Sequence, residues 1–171
     1  MDLFEVIGQR RSVRSYQDKP VEEDKLAKVL EAARLAPSAG NRQEWRFVVV
    51  RDADLRQKLM EAARGQQFVG EAPVVIAACA PEHGHVMSCG HPSFLVDVSI
   101  ALEHIALSAR ALGLGTCWVG AFEQPPVRDA LGIPDSVEVV QLMALGYPTA
   151  WPEPKDRKET AEIVCYDGWT A

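Results

Sequence analysis

The chain of 171 residues is short of several things, and each shortage removes a class of function. It has four cysteines, Cys79, Cys89, Cys117 and Cys165, none in a Cys-x-x-Cys pair, which excludes the usual zinc-ribbon and ferredoxin patterns. A chain this long builds a core without disulfides, so the thiols read as reduced and the compartment as cytosol. It lacks an N-terminal apolar run: "MDLFEVIGQRR" is acidic at its start and reads as no signal peptide. It has no Walker loop. "GLGTCWVG" imitates a dinucleotide fingerprint, but Trp118 takes the third glycine's place and the motif precedes a strand instead of following one. An excess of positive charge is lacking too: 18 lysines and arginines face 24 acidic residues. A net charge of −6 argues against nucleic-acid or anionic-membrane partners, which need a broadly basic surface.

Six of the 18 lysines and arginines lie in two clusters. "GQRRSVRSYQDKP" (8–20) puts Arg10, Arg11 and Arg14 beside Ser12 and Ser15, and Lys155, Arg157 and Lys158 follow a Pro-rich turn near the other end. Guanidinium forks and hydroxyls suit a phosphate, whereas a solvated basic patch or a charged tail is the plainer reading of either cluster alone. "APSAGNRQEWRF" (36–47) holds the only asparagine, Asn41, with Ser38 and Gln43. It reads either as a helix-ending turn or as a set of donors and acceptors for a flat heterocycle.

Periodicity predicts helices at 2–9, after Pro20 through "VEEDKLAKVLEAARLA", at 52–63 capped by Asp52, at 92–115 and at 125–132. Strands are expected at 45–50, 73–80, 116–122 and 136–148, with a strand-like "EIVCY" near the end. The 92–115 segment is apolar almost all round, but Asp97, Glu103, His104 and Arg110 make it a core or interface helix and not a membrane span. The order of elements suggests an α+β sandwich in a single domain, 1–171.

Together, in this order, "RRSVRSY", "APSAGNRQEWRF", "ALGLGTCWVGAF" and "LGYP…PEPKDRK" closely resemble the nitroreductase family of FMN-dependent NAD(P)H oxidoreductases. The resemblance implies a three-layer sandwich with a mixed central sheet flanked by helices. It also implies an intertwined homodimer with FMN at the subunit interface. Arg10, Arg11 and Ser12 would hold the FMN phosphate, with Arg14 nearer the ribityl chain or pyrimidine edge, and Arg157 aided by Lys155 would close from the C-terminal side. Pro37, Ser38, Ala39 and Asn41 of the other subunit would line the flavin, with Gln43 nearby and the Gly120 N–H near flavin N5 or O4.

On that resemblance, NADH or NADPH passes hydride to flavin N5 and a small organic acceptor (nitroaromatic, quinone or enone) then takes it, in ping-pong fashion, with no catalytic side chain. A non-catalytic flavin carrier, a dehalogenase and a flavin-degrading enzyme are the alternatives. The C-terminal arm, about 149–171, is expected to extend over the partner, Trp151 and Trp169 with it. His83, His85, Cys89 and His91 match no zinc module and read as a loop beside the site, with no metal assigned.

Overall fold

The strand β2 (Val74–Ala80) is buried along its whole length, and a strand buried on both faces must lie between two layers. In the computed structural model, which describes residues 1–169, Val74, Ile76 and Ala78 face one core. Val75, Ala77 and Cys79 face the other. The first core is closed by α2 (Glu23–Arg34) and α5 (Ser93–Ala111), through Leu26, Val29, Leu102 and Ile105. The second is closed by α3 (Ala53–Ala62), α4 (Gln67–Glu71) and α6 (Gln124–Leu131), through Leu59, Phe68 and Val127. The expected three-layer α+β sandwich is therefore present.

The sheet between these layers is completed by β1 (Arg46–Val50), β3 (Gly115–Val119) and β4 (Glu138–Gly146), in the order β1-β2-β4-β3. All three ladders are antiparallel. The mixed sheet of the sequence reading is thus corrected for the described strands: its parallel component is one isolated bridge, Ser12 to Thr116. That bridge runs the basic segment along the outer edge of β3, where Val13 N–H donates to Thr116 O (2.9 Å). Gly115 makes this approach possible, because a Cβ there would lie 2.5 Å from Val13 Cγ2.

At the N-terminus, α1 (Leu3–Gln9) opens with a reciprocal box in which the Asp2 and Glu5 carboxylates accept from each other's backbone N–H. Asp52 caps α3 as expected, its side chain accepting from Leu55 N–H. Sequence reasoning did not resolve α4, and it took β3 on to 122. The strand ends at Val119 because Gly120–Glu123 turns away into α6. "EIVCY" is not a strand. Thr160–Ile163 forms the short helix α7, opened by a Glu159–Glu162 capping box. Residues 151–169 are exposed throughout, and the last two residues of the expected arm, 170 and 171, lie outside the described residues. No helix among the described residues is long and apolar enough to cross a membrane.

Candidate functional site

The two basic clusters converge. Arg10, Arg11, Ser12 and Arg14 line one small cavity of about 110 Å³ together with Pro152, Glu153, Lys155 and Arg157. An adjoining cavity of about 480 Å³ is walled by Arg10, Arg11, Lys155 and Arg157, with Ile7, Gly8 and Glu103. Each cation is placed by a local cause. Buried Val13 and Tyr16 pin the segment, leaving Arg14 outside, near the Phe68 ring (5.9 Å). Arg11 Nη1 donates to Gly8 O (2.8 Å) and Arg10 O (2.9 Å), so it also closes the C-terminal end of α1. Ser15, the further hydroxyl beside the cluster in the sequence, accepts from Thr149 Oγ1 at 2.8 Å.

Arg10 is paired with Glu103 of α5 at 3.4 Å. Burial raises the Glu103 carboxyl above its ordinary range, with Arg10 and His104 pulling the other way. A carboxylate in an anion cavity is a competitor, and an incoming phosphate would take Arg10 from it. Behind the cavity stands Arg110, a residue that sequence reasoning used only against a membrane span. Its Nη2 donates to Gln9 Oε1, its guanidinium lies 3.8 Å from the Trp151 ring centroid, and its Nε is buried without a partner. Burial, and then the nearby Arg11, lower its pKa. Trp151, expected to cover a partner subunit, is thus engaged by its own chain. The donor set, guanidinium forks with a lysine and a hydroxyl around a cavity, suits a phosphomonoester.

The turn at 37–43 lies elsewhere on the chain. Neither basic cavity takes in Pro37, Ser38, Ala39, Asn41 or Gln43. The turn is tightly wound: Ala39–Asn41 is a 3-10 turn, and Gly40, Asn41 and Gln43 all have φ between 55° and 58°. Ser38 Oγ accepts from Gln43 N–H (3.0 Å), which spends the Ser38 side chain on the turn itself.

Buried side chains beneath it hold it on α5. Asp97 Oδ1 accepts from Ala39 N–H (3.1 Å), while Asp97 Oδ2 is buried without a partner. One turn earlier, Ser93 Oγ donates to buried Glu44 Oε2 (3.2 Å). A hydroxyl has one proton, so Ser93 takes its other bond, at 2.9 Å, from His85 with Nδ1–H as donor. Sequence reasoning used Asp97 only against a membrane span and did not single out Glu44. For Asp97 the signal was a charge inside an otherwise apolar helix; Glu44, in a polar loop, gave none.

Asp97 holds the turn and Glu103 holds Arg10, six residues apart on α5. Six residues advance a helix about 9 Å and leave the two side chains about 120° apart around it. One copy of the chain therefore presents the turn and the arginines on different faces. At Gly120, the Gln141 amide, oriented so that both its atoms are satisfied, accepts from Gly120 N–H (3.0 Å) and Val119 N–H (3.3 Å). A ligand acceptor at Gly120 would have to share or displace that bond. In the 83–91 loop, His83 packs edge-on against Phe94 (5.8 Å), and among the described residues no three His, Cys, Asp or Glu side chains gather as a metal requires.

Comparison with known proteins agrees on one group. The family model described as the nitroreductase family matches residues 7–83 and 62–147. A relative from Archaeoglobus fulgidus, whose name pairs NADH dehydrogenase with NAD(P)H nitroreductase, is 36% identical over 94% of this chain and 90% of its own. An FMN reductase [NAD(P)H] from Bacillus subtilis is 32% identical over 86% of this chain and 66% of its own. Among solved structures, a nitroreductase family protein from Clostridium difficile superposes with a TM-score of 0.89 at 34% identity, covering 99% of this chain and 100% of the other.

Proposed function

Because the chain belongs to the nitroreductase family, we propose that it is an FMN-dependent oxidoreductase passing hydride from NADH or NADPH to a small organic acceptor. One observation carries the reading: two basic segments far apart in sequence form one cavity with the chemistry of a phosphomonoester site. In this reading Arg10, Arg11, Ser12, Lys155 and Arg157 hold the FMN phosphate, and Arg14 lies toward the ribityl chain or pyrimidine edge. When bound, the flavin supplies the two-electron chemistry, accepting hydride and returning it to the acceptor.

The chain supplies position and charge. Arg10 exchanges Glu103 for phosphate oxygens, and cations on two sides make the fork contacts bidentate. The 37–43 turn, fastened by Asp97 and Glu44, offers backbone and amide groups to the ring from a second copy, since one copy presents turn and arginines on different faces. The Gly120 N–H, released from or shared with Gln141, is the donor for the edge that gains negative charge on reduction. No proton at a side chain is needed for hydride transfer, so no catalytic side chain is named.

A homodimer is the assembly this arrangement requires. Its support is the apolar surface that one copy leaves open: Phe4, Tyr166 and Trp169 are 83%, 82% and 92% exposed, and Leu95 and Val96 of α5 are open as well. The acceptor class is a nitroaromatic, a quinone or an enone.

The test is an anaerobic visible spectrum of the purified protein after incubation with FMN, before and after NADH and then NADPH. Bleaching of bound flavin by either is expected. Arg10→Ala with Arg157→Ala should lose most of the flavin with an unchanged thermal midpoint, because these side chains contribute little to either core. Bound flavin that neither nicotinamide bleaches would mean a carrier, and failure to take up FMN would refute the assignment.

A further inference from the structure

The arm's cations are held where like charges should drive them away. Arg10, Arg11 and Arg14 face Lys155 and Arg157 across a small cavity, with Glu153 and Glu103 the carboxylates among the lining residues. The described contacts of Arg157 are to its own segment: Nη1 donates to Asp156 O (3.1 Å) and Lys155 O (3.4 Å). What returns the arm to the domain is the first residue past its turn. Trp151 lies face-on to the Arg110 guanidinium at 3.8 Å. Arg110 is itself fixed by Gln9 at the end of α1, next to Arg10. An aromatic face attracts a guanidinium most where the cation is poorly solvated, and the Arg110 Nε is buried with no acceptor. Pro152 and Pro154 then restrict the backbone, so an anchored ring directs the next residues over the cavity.

We propose that the Arg110–Trp151 stack is a positioning element for the anion cavity, holding Lys155 and Arg157 opposite Arg10 and Arg11 so that a flavin's phosphomonoester meets cations from both sides. The inference rests on the FMN reading for its ligand. It goes beyond that reading in assigning phosphate discrimination to two residues that line neither basic cavity.

The experiment compares FMN with riboflavin, which differ by the phosphate, on flavin-free protein. The wild type should prefer FMN strongly. Trp151→Ala should cut the ratio of the two affinities tenfold or more and leave riboflavin binding within twofold, while Trp151→Phe keeps a ring and restores most of the ratio. Trp151 is partly exposed on the arm, so the fold does not depend on it. A second readout needs no flavin. Trypsin cleavage after Lys155, Arg157 and Lys158 should accelerate several-fold in Trp151→Ala and not in Trp151→Phe. An unchanged ratio, or parallel loss of both flavins, overturns the proposal. Wild-type protein that binds neither flavin overturns the FMN reading instead, and unaltered trypsin cleavage would then overturn the anchor as well.

Discussion

Among the described residues, Glu44, Ser93 and Asp97 are three of the four buried polar or charged side chains, and all three lie beneath one turn. Burying a carboxylate is costly unless its lone pairs are met, and Asp97 meets only one of its oxygens. Its local and global effects should therefore separate. Asp97→Ala removes the acceptor of the Ala39 N–H, and exchange of that amide is expected to quicken about tenfold, the equivalent of one hydrogen bond of roughly 1.4 kcal/mol. The thermal midpoint should move little, because the deleted side chain also carried an unpartnered buried oxygen. Asp97→Asn keeps an oxygen for Ala39 and should exchange as the wild type does. Hydrogen exchange followed at Ala39 decides between them. At this scale the sequence revealed chemistry but not company. Arg10, Arg11, Lys155 and Arg157 stood out as two basic clusters, and only the family resemblance joined them into one expected phosphate site. Arg110 did not, since its role depends on stacking with Trp151, and nothing in a single sequence signals that contact.

Elements were the most legible level, where one face is buried and periodicity records it. β2 could be read as buried because an unbroken apolar run has no solvent side, and α3 because Asp52 and the apolar spacing agree. The failures share a cause. "EIVCY" has strand-forming residues but pairs with no strand among the described residues, so the local capping box decides in favour of α7. The two-sided burial of the sheet also has a pH signature. Burial pushes the Cys79 thiol up from 9.0 to about 11 and raises Cys117 on β3 as well. A raised thiol pKa contributes stability that is fully present below the unfolded value and is lost as pH rises through the folded one. Stability should accordingly fall between about pH 9 and about pH 11, by up to roughly 1.4 kcal/mol per pH unit from Cys79, with Cys117 acting in the same direction. Urea unfolding at about pH 8 and about pH 10.5 measures this, and Cys79→Ala should flatten the decline.

For the molecule as a whole, surface area argues that one copy is half of something. α1 turns Leu3, Phe4 and Ile7 outward, and the arm ends in exposed Ile163, Tyr166 and Trp169. Apolar surface of this kind is a poor match for water and a good one for a second copy. Light scattering should give the full chain a mass about twice that of one copy. Truncation after residue 150 should shift it toward the single-chain mass and abolish the preference for FMN over riboflavin, because it deletes both the exposed apolar arm and Lys155 and Arg157. Full retention of the doubled mass by the truncated chain would remove the arm from the interface. The sandwich could be foreseen from the order of the elements. The separation of turn and arginines on α5 could not, because it depends on helical phase between two contacts that only the fold creates.

The basic segment meets the outer edge of β3 at Ser12 and Val13, with Val13 N–H satisfied by Thr116, before Tyr16 passes to Pro148. Any change that frees the segment bares a strand border whose open carbonyls and amides invite other chains to add to it. Arginine substitutions spare that seal, but Val13→Asp or Gly115→Val would break it. Loss of binding in those variants would arrive together with precipitation, so a screen that counts only soluble protein would never see how far this segment tolerates change.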